Sequence, residues 1–352
     1  MTAASSSPSL ILAIDFGTQS VRALAYRASG DCVAKCQLPI EDYQHPQPGW
    51  TEHDVEGLWR LLTASCQGLW TQGIQPTEIA AVVVTTQRAP ILTLDNNLQP
   101  LRPAIIWTDQ RRAALRRKLP WFWRLLFGLL RIRDVVDNFE GEAEANWLEQ
   151  QQPDLLANTA HYLLLSGYLN LRLTGDVVDS IGSQVGYLPF DFKQHDWCAA
   201  SDWKWHSLAV DRATLPKLQP VGTQLGAVTT EAAQATGLPV GLPVIAGAAD
   251  KACEVLGVGA LAESVASVSC GTTATINTSR ARYVEVVPFM PASPAAIPDQ
   301  FNTEIQVFRG FWMVSWFLEQ FGAEERQRAD RERVAPEILL DELLGQTEPG
   351  AG

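Results

Sequence analysis

The sequence predicts a two-domain α/β protein, and three observations carry that expectation. At 352 residues the chain is long enough for two domains, and 46% apolar with 19% charged residues excludes a disordered polymer. Short β-branched runs alternate with amphipathic segments at helical spacing. A strand, a Gly-Thr turn and a second strand occur near residue 17 and again near residue 271. One supersecondary unit used in both halves would point two such turns into one cleft.

Leu10 to Ile14 opens a strand that stops at Asp15-Phe-Gly-Thr18, and Val21 to Tyr26 and Cys32 to Leu38 continue it as a β-meander. Asp54 is the expected N-cap of a helix whose Val55, Leu58, Trp59, Leu62, Leu69 and Trp70 share one side. Ile79 to Thr85 is a continuous apolar run, the pattern of a strand buried on both faces. Pro90 to Leu94 and Ala104 to Trp107 flank an Asp95-Asn-Asn97 turn as a hairpin-like pair. Helical patterns dominate Arg111 to Leu173, and Asp191 to Trp205 reads as loop. Pro243 to Ala246 predicts a short strand and Asp250 to Leu256 a helix. Ser264 to Ser269 and Ala274 to Thr278 then predict two strands around Cys270-Gly-Thr-Thr273.

Lys and Arg number 27 against 39 Asp and Glu, a net charge of −12. Sequence-independent nucleic-acid binding needs a basic surface, so no nucleic acid is expected. A phosphorylated ligand is still compatible, because a few amides and one metal ion outweigh net charge locally. The six cysteines are scattered, without a second pair at zinc spacing, and read as small buried or half-buried thiols. Met1 to Ser9 lacks the basic and apolar regions of a signal peptide and is expected to be a disordered tail. Leu119 to Ile132 is the longest apolar stretch, interrupted by Arg124 and shorter than the roughly 20 residues of a membrane span. It follows Arg111, Arg112, Arg116, Arg117 and Lys118, and a basic, aromatic helix of this kind can lie on a membrane surface. The commoner arrangement is a surface helix followed by a packed one, with the arginines in solvent. That is the expectation, with no membrane contact and a cytoplasmic location.

Two segments carry chemistry. Asp15-Phe-Gly-Thr-Gln-Ser20, at a hairpin tip, joins a carboxylate to small hydroxylated residues. Amides of such a turn can face phosphate oxygens, and the aspartate can hold a hydrated Mg²⁺. A plain β-turn is the bland alternative, and the pairing with Gly271-Thr272-Thr273 favours phosphate. Gly247-Ala-Ala-Asp250 places three small residues before a helix, which would let a ligand approach the backbone. Asp250 then stands at the helix N-terminus, where negative charge is favoured. Gly257-Val-Gly259-Ala-Leu-Ala262 follows a helix instead of a strand and is no dinucleotide fingerprint.

Ile14-Asp-Phe-Gly-Thr-Gln-Ser-Val-Arg22 resembles the first phosphate motif of the FGGY carbohydrate kinases. Gly49-Trp-Thr-Glu-His-Asp54, Thr86-Gln-Arg88, Ile106-Trp-Thr-Asp-Gln-Arg111, Trp147-Leu-Glu-Gln-Gln-Gln-Pro153 and Leu173-Thr-Gly175 follow in the order that family uses. Thr236 to Pro243 with Gly247-Ala-Ala-Asp250 is similar to its most diagnostic segment, and Ser269-Cys-Gly-Thr-Thr273 to its second phosphate motif. The likeness runs from residue 10 to about 320.

The resemblance implies an actin-like fold of two ribonuclease-H-like domains, residues 10–245 for sugar and 246–352 for the start of an incomplete nucleotide domain. It implies ATP-dependent phosphorylation of a sugar or polyol hydroxyl. Asp250 would be the general base and Asp15 the Mg²⁺-associated carboxylate. Gly17, Thr18, Gln19, Ser20 and Arg22, with Gly271, Thr272 and Thr273, would hold ATP phosphates. Gln87, Arg88, Trp107, Asp109, Asp250 and Lys251 would face the sugar. Phosphoryl transfer needs positioning, charge neutralisation and a carboxylate to accept the hydroxyl proton, which suits this set. Lys251 stands where many relatives have Asn or Gln, and Ala89 where glycerol kinases have glutamate, which favours a pentulose or hexulose. Relatives run on for over a hundred residues, so the chain reads as truncated, with Phe311, Trp312, Trp316 and Phe317 short of packing partners. The expected partners are a small sugar or polyol and ATP, with a homodimer compatible. A non-catalytic actin-like regulator is the alternative reading.

Overall fold

The computed structural model describes residues 9–114, 119–270, 274–286, 290–307, 310 and 312–348. The tail up to Pro8, the Gly271-Thr272-Thr273 turn and Phe311 lie outside these residues.

The meander forms as the alternation demands. Strands β1 (Leu10–Phe16), β2 (Ser20–Arg27) and β3 (Cys32–Pro39) pair antiparallel. Helix α1 (Val55–Trp70) starts where the Asp54 carboxylate accepts the Gly57 amide at 2.9 Å. It lays Leu58, Leu62 and Leu69 against β2 and β3, all fully buried, at about 2 kcal/mol of apolar burial apiece. Strand β4 (Ile79–Thr86) then returns parallel to β1, a connection that needs the crossover α1 supplies. Strands β5 (Gln224–Ala227) and β6 (Pro243–Ile245) complete a six-stranded sheet in the order β5-β6-β4-β1-β2-β3. Within it β1, β4 and β6 are mutually parallel neighbours.

Ile91–Leu94 and Ala104–Ile105 pair as expected, inside a smaller four-stranded sheet with Glu52–His53 and His161–Leu164. Helix α2 (Trp121–Leu129) falls in the predicted helical stretch, as does α3 (Leu165–Thr174). Helix α3 is almost wholly buried, and it stops at Gly175, whose φ of +79° is the left-handed cap a glycine adopts freely. Helix α4 (Asp250–Gly257) leaves the first sheet, and a second sheet follows. It runs β7-β8-β10-β9, from β7 (Ala266–Cys270), β8 (Ala274–Arg280), β9 (Ser293–Pro294) and β10 (Phe301–Val307).

Three expectations change. Asp191–Trp205 is not plain loop: Phe190–Asp191 pairs with Asp196–Trp197, and a short helix covers Lys204–Ser207. Cys32 and Cys270 are exposed, while burial raises the Cys66 thiol to about 12. Trp316 and Phe317 stay about half exposed, in agreement with the expectation that they are short of packing partners. The apolar stretch around α2 is not packed: among its residues only Phe127 is buried, and Trp121 is 75% exposed.

Candidate active site

Parallel neighbours bring their carboxyl ends to one edge of the sheet, and ligands of open α/β sheets bind there. Thr18 follows β1, Gln87 and Arg88 follow β4, and Asp250 follows β6. These residues, with Ala89, Trp107 and Lys251, line a cavity of about 500 Å³. Phe139, Tyr187, Glu304 and Gln306 close its other walls.

A short hydrogen-bond chain fixes one wall. The Trp107 indole N–H donates to Thr18 Oγ1 at 2.8 Å, and Thr18 in turn donates to Gln87 Oε1 at 3.0 Å. The Tyr43 hydroxyl donates to the Thr18 carbonyl at 2.5 Å, and the Gln87 amide N–H to the Phe16 carbonyl at 2.8 Å. Buried Gln87 thus has its oxygen committed to Thr18, and its Nε2, also buried, has no hydrogen-bond partner among the described residues. Trp107, 42% exposed, offers an apolar face beside it.

Charge sits on the opposite wall. Arg88 forks onto Glu304 at 3.1 and 3.3 Å, and its Nε lies 4.0 Å from Asp250 Oδ1. Asp250 opens α4 and its Oδ1 accepts the Lys251 amide at 2.7 Å. Burial in the cleft raises the Asp250 carboxyl above the ordinary range, with Arg88 and the Lys251 amide pulling the other way. Lys251 Nζ is held by Glu254 at 2.7 Å and Ser269 at 3.1 Å, so it ties α4 to β7.

The small residues before Asp250 have a different purpose from the one expected. A Cβ on Gly247 would lie 2.5 Å from the Val84 carbonyl oxygen, and buried Ala248 and Ala249 press against the Gly182 turn. Protein, not ligand, makes the close approach. Thr85 Oγ1 donates to the Ala248 carbonyl at 2.7 Å and Ser180 Oγ to the Gly247 carbonyl at 2.5 Å. The segment is thereby locked, and Asp250 with it.

Asp109 does not line the cavity. Its carboxylate, buried, takes the Arg111 guanidinium at 2.7 Å on both oxygens, the Thr51 amide at 2.6 Å and the Arg111 amide at 2.8 Å. A carboxylate so fully occupied by the protein has no lone pair to spare for a sugar. In the first turn Gly17 donates its amide to the Ser20 carbonyl at 3.1 Å, exposed Gln19 accepts the Ile40 amide, and Ser20 Oγ accepts from Gln37. Arg22 reaches across the hairpin to Asp15 Oδ2 at 2.6 Å, and Asp15 Oδ1 has no hydrogen bond among the described residues. No group of three or more His, Cys, Asp or Glu that could hold a metal occurs among those residues. Mg²⁺ is commonly held by one or two carboxylates plus waters and substrate phosphates, and Asp15 with one open oxygen fits that pattern.

Glu304 and Gln306 escaped the sequence reading. The signal was an inverted alternation on β10, where Ile305 and Val307 face solvent while Glu304 and Gln306 turn inward.

Residues 10–257 match the N-terminal domain of the FGGY family of carbohydrate kinases. The uncharacterized sugar kinase YgcE of Escherichia coli (strain K12) is 28% identical over 348 residues, 97% of this chain and 62% of that protein. The xylulose kinase of the same strain is 28% identical over 268 residues, 75% of this chain and 53% of its own length. The chain thus spans between about half and two thirds of these curated relatives. Among solved structures, xylulose kinase from Rhodospirillum rubrum superposes with a TM-score of 0.81 at 24% identity, covering 97% of this chain and 68% of that one. Gluconate kinase from Lactobacillus acidophilus gives 0.75 at 19% identity, with 95% and 65% covered. Likeness at that identity speaks for the fold, which is the actin-like α/β arrangement the sequence predicted. With a family match over more than half of its length, the chain belongs to the FGGY family of carbohydrate kinases.

Proposed function

We propose that this chain supplies the sugar-binding domain and catalytic base of an enzyme that moves the terminal phosphoryl group of ATP to a hydroxyl of a pentulose- or hexulose-type sugar. The observation that carries the reading is Asp250, half-buried on the wall of a sugar-sized cavity with its carboxyl raised and Arg88 alongside. A raised carboxylate is a better proton acceptor near neutral pH. Gln87 and the Arg88 guanidinium line the cavity and would face the sugar hydroxyls, and Trp107 would cover an apolar sugar face. Asp15 would hold Mg²⁺, which when bound neutralises phosphate charge, while the turn from Gly17 to Ser20 and Arg22 would meet the phosphates. Ala89, at φ +67°, contributes only a methyl group at the cavity, which supports a sugar larger than glycerol. We place the boundary between the two domains at residues 245 and 246, where β6 ends ahead of α4.

Release of ADP by protein of the family's full length, measured against ketopentoses, ketohexoses, aldoses and polyols, tests this. Sugar-dependent release that the Asp250→Asn variant loses supports it. Release that no sugar stimulates overturns it in favour of a regulator, and best turnover on glycerol overturns the assignment of substrate.

A further inference from the structure

The stretch expected to pack, α2, instead turns its apolar side to solvent. Trp121, Leu125 and Leu129 follow one another at four-residue spacing with exposures of 75%, 55% and 74%, and Phe122, Leu126 and Leu130 lie exposed beside them. Together they span about half of the helix circumference at 100° per residue. The opposite side is anchored: Phe127 is buried, stacked on Trp123 at 5.5 Å and edge-on to Trp203 at 5.4 Å. The helix is therefore held in place with its apolar face outward. A patch of this size on a folded protein marks a contact surface.

Charge decides between occupants. Residues 111–133 contain eight Lys and Arg and no Asp or Glu, leaving 19 basic against 39 acidic residues in the rest of the chain. Arg111 and Arg112 are spent on Asp109, Glu52 and Glu142. Arg124 and Arg131 are exposed and have no ion pair among the described residues, and Arg133 donates to the Arg124 carbonyl. Acidic residues resume only at Asp134 and Asp137 on the following helix. In a symmetric pair of copies each patch would meet itself, arginine against arginine. An anionic surface has no such conflict.

We propose that α2 is an interfacial helix that docks this protein on an anionic phospholipid surface. Its apolar face would enter the headgroup–acyl boundary, with Arg124, Arg131 and Arg133 at lipid phosphates. The docking is peripheral, since no helix among the described residues is long and apolar enough to cross a membrane. Its aromatic anchor continues through Trp203 to Phe139, which lines the sugar cavity.

Co-sedimentation with vesicles tests the idea, comparing phosphatidylcholine mixed with phosphatidylglycerol against phosphatidylcholine alone. Binding is expected for the mixed vesicles only, weakening as salt rises. Arg124→Glu with Arg131→Glu should lower partitioning about ten-fold or more, since each basic residue near such a surface is worth roughly five-fold. Arg124→Lys with Arg131→Lys should retain it, and Trp121→Ser with Leu129→Ser should abolish it while circular dichroism reports an intact fold. Equal binding to both vesicle types, or none, overturns the proposal. So does a dimer in sedimentation velocity that Trp121→Ser with Leu129→Ser dissociates without any vesicle binding. Protein of the family's full length that no longer sediments overturns it as well, because later residues would then cover the face.

Discussion

Arg88 and Glu304, 216 residues apart in the chain, form a two-pronged ion pair at 3.1 and 3.3 Å that ties the end of β4 to β10. The pair does two things at once. It joins the first sheet to the second across the cavity, and it fixes the guanidinium whose Nε approaches Asp250. Removing Arg88 leaves Glu304 half-buried without its partner and takes a lowering influence from Asp250. Arg88→Ala should therefore move the acidic limb of the pH–rate profile to higher pH and cost about 1–2 kcal/mol of stability, more than an exposed pair and less than a fully buried one. Glu304→Gln, which keeps Arg88 in place, should leave the limb close to wild type. An unmoved limb in Arg88→Ala would separate Arg88 from the base.

Asp250→Asn preserves shape and removes the proton acceptor. Turnover should fall by about 10²–10⁴-fold, as general-base losses do, while sugar affinity by calorimetry changes little. The asparagine can still accept the Lys251 amide that now meets Oδ1 at 2.7 Å, so α4 should start normally. Wild-type turnover in this variant would reduce Asp250 to a helix-end carboxylate.

How much of this was legible in the sequence depends on range. Asp54 capping α1, the meander of β1 to β3 and Asp250 opening α4 are local patterns, and all appear where the residues indicate. Gln87, Arg88 and Trp107 were found by resemblance and do meet at one cavity. Asp109 was misread because its fate depends on Thr51 and Arg111 closing on it, which no spacing announces. The alternation on β10 could have marked Glu304 as inward-facing, but its pairing with Arg88 arises only after both sheets form. The small residues at Gly247 to Ala249 signalled close approach correctly but not by what.

That approach gives a sharp contrast. At Gly247 an added methyl group would sit 2.5 Å from the Val84 carbonyl, a backbone atom in the middle of the sheet. Gly247→Ala should cost about 1–3 kcal/mol by overpacking, and it should displace Asp250 and lower turnover as well. Gly257, at the end of α4, would place its methyl group with nothing within 4 Å. Gly257→Ala should be neutral or slightly stabilising. Thermal melts of the two variants check this, and equal melting temperatures would mean the β4 contact yields more easily than the geometry allows.

Asp179 supplies a pH test of the scaffold beneath the site. It is fully buried and accepts from Ser166 at 2.7 Å, Asn170 at 3.0 Å, the Ser180 amide at 2.8 Å and Gln184 at 2.7 Å. Those bonds hold the turn whose Ser180 and Gly182 grip Gly247 and Ala249. Burial nevertheless outweighs them and raises the carboxyl to about 6. A folded-state value above the unfolded one means that stability from this group is full below the unfolded value and is lost as pH rises toward 6. The loss should amount to about 3 kcal/mol at most, concentrated between about pH 4 and 6 and level above. Asp179→Asn is expected to be less stable at every pH, since its amide turns donors toward donors, but it cannot titrate. Urea unfolding of both proteins across that window should therefore show their stability difference shrinking as pH rises to 6 and constant beyond it. A difference that stays flat through the window would mean that Asp179 remains charged in both states and that its four hydrogen bonds outweigh burial.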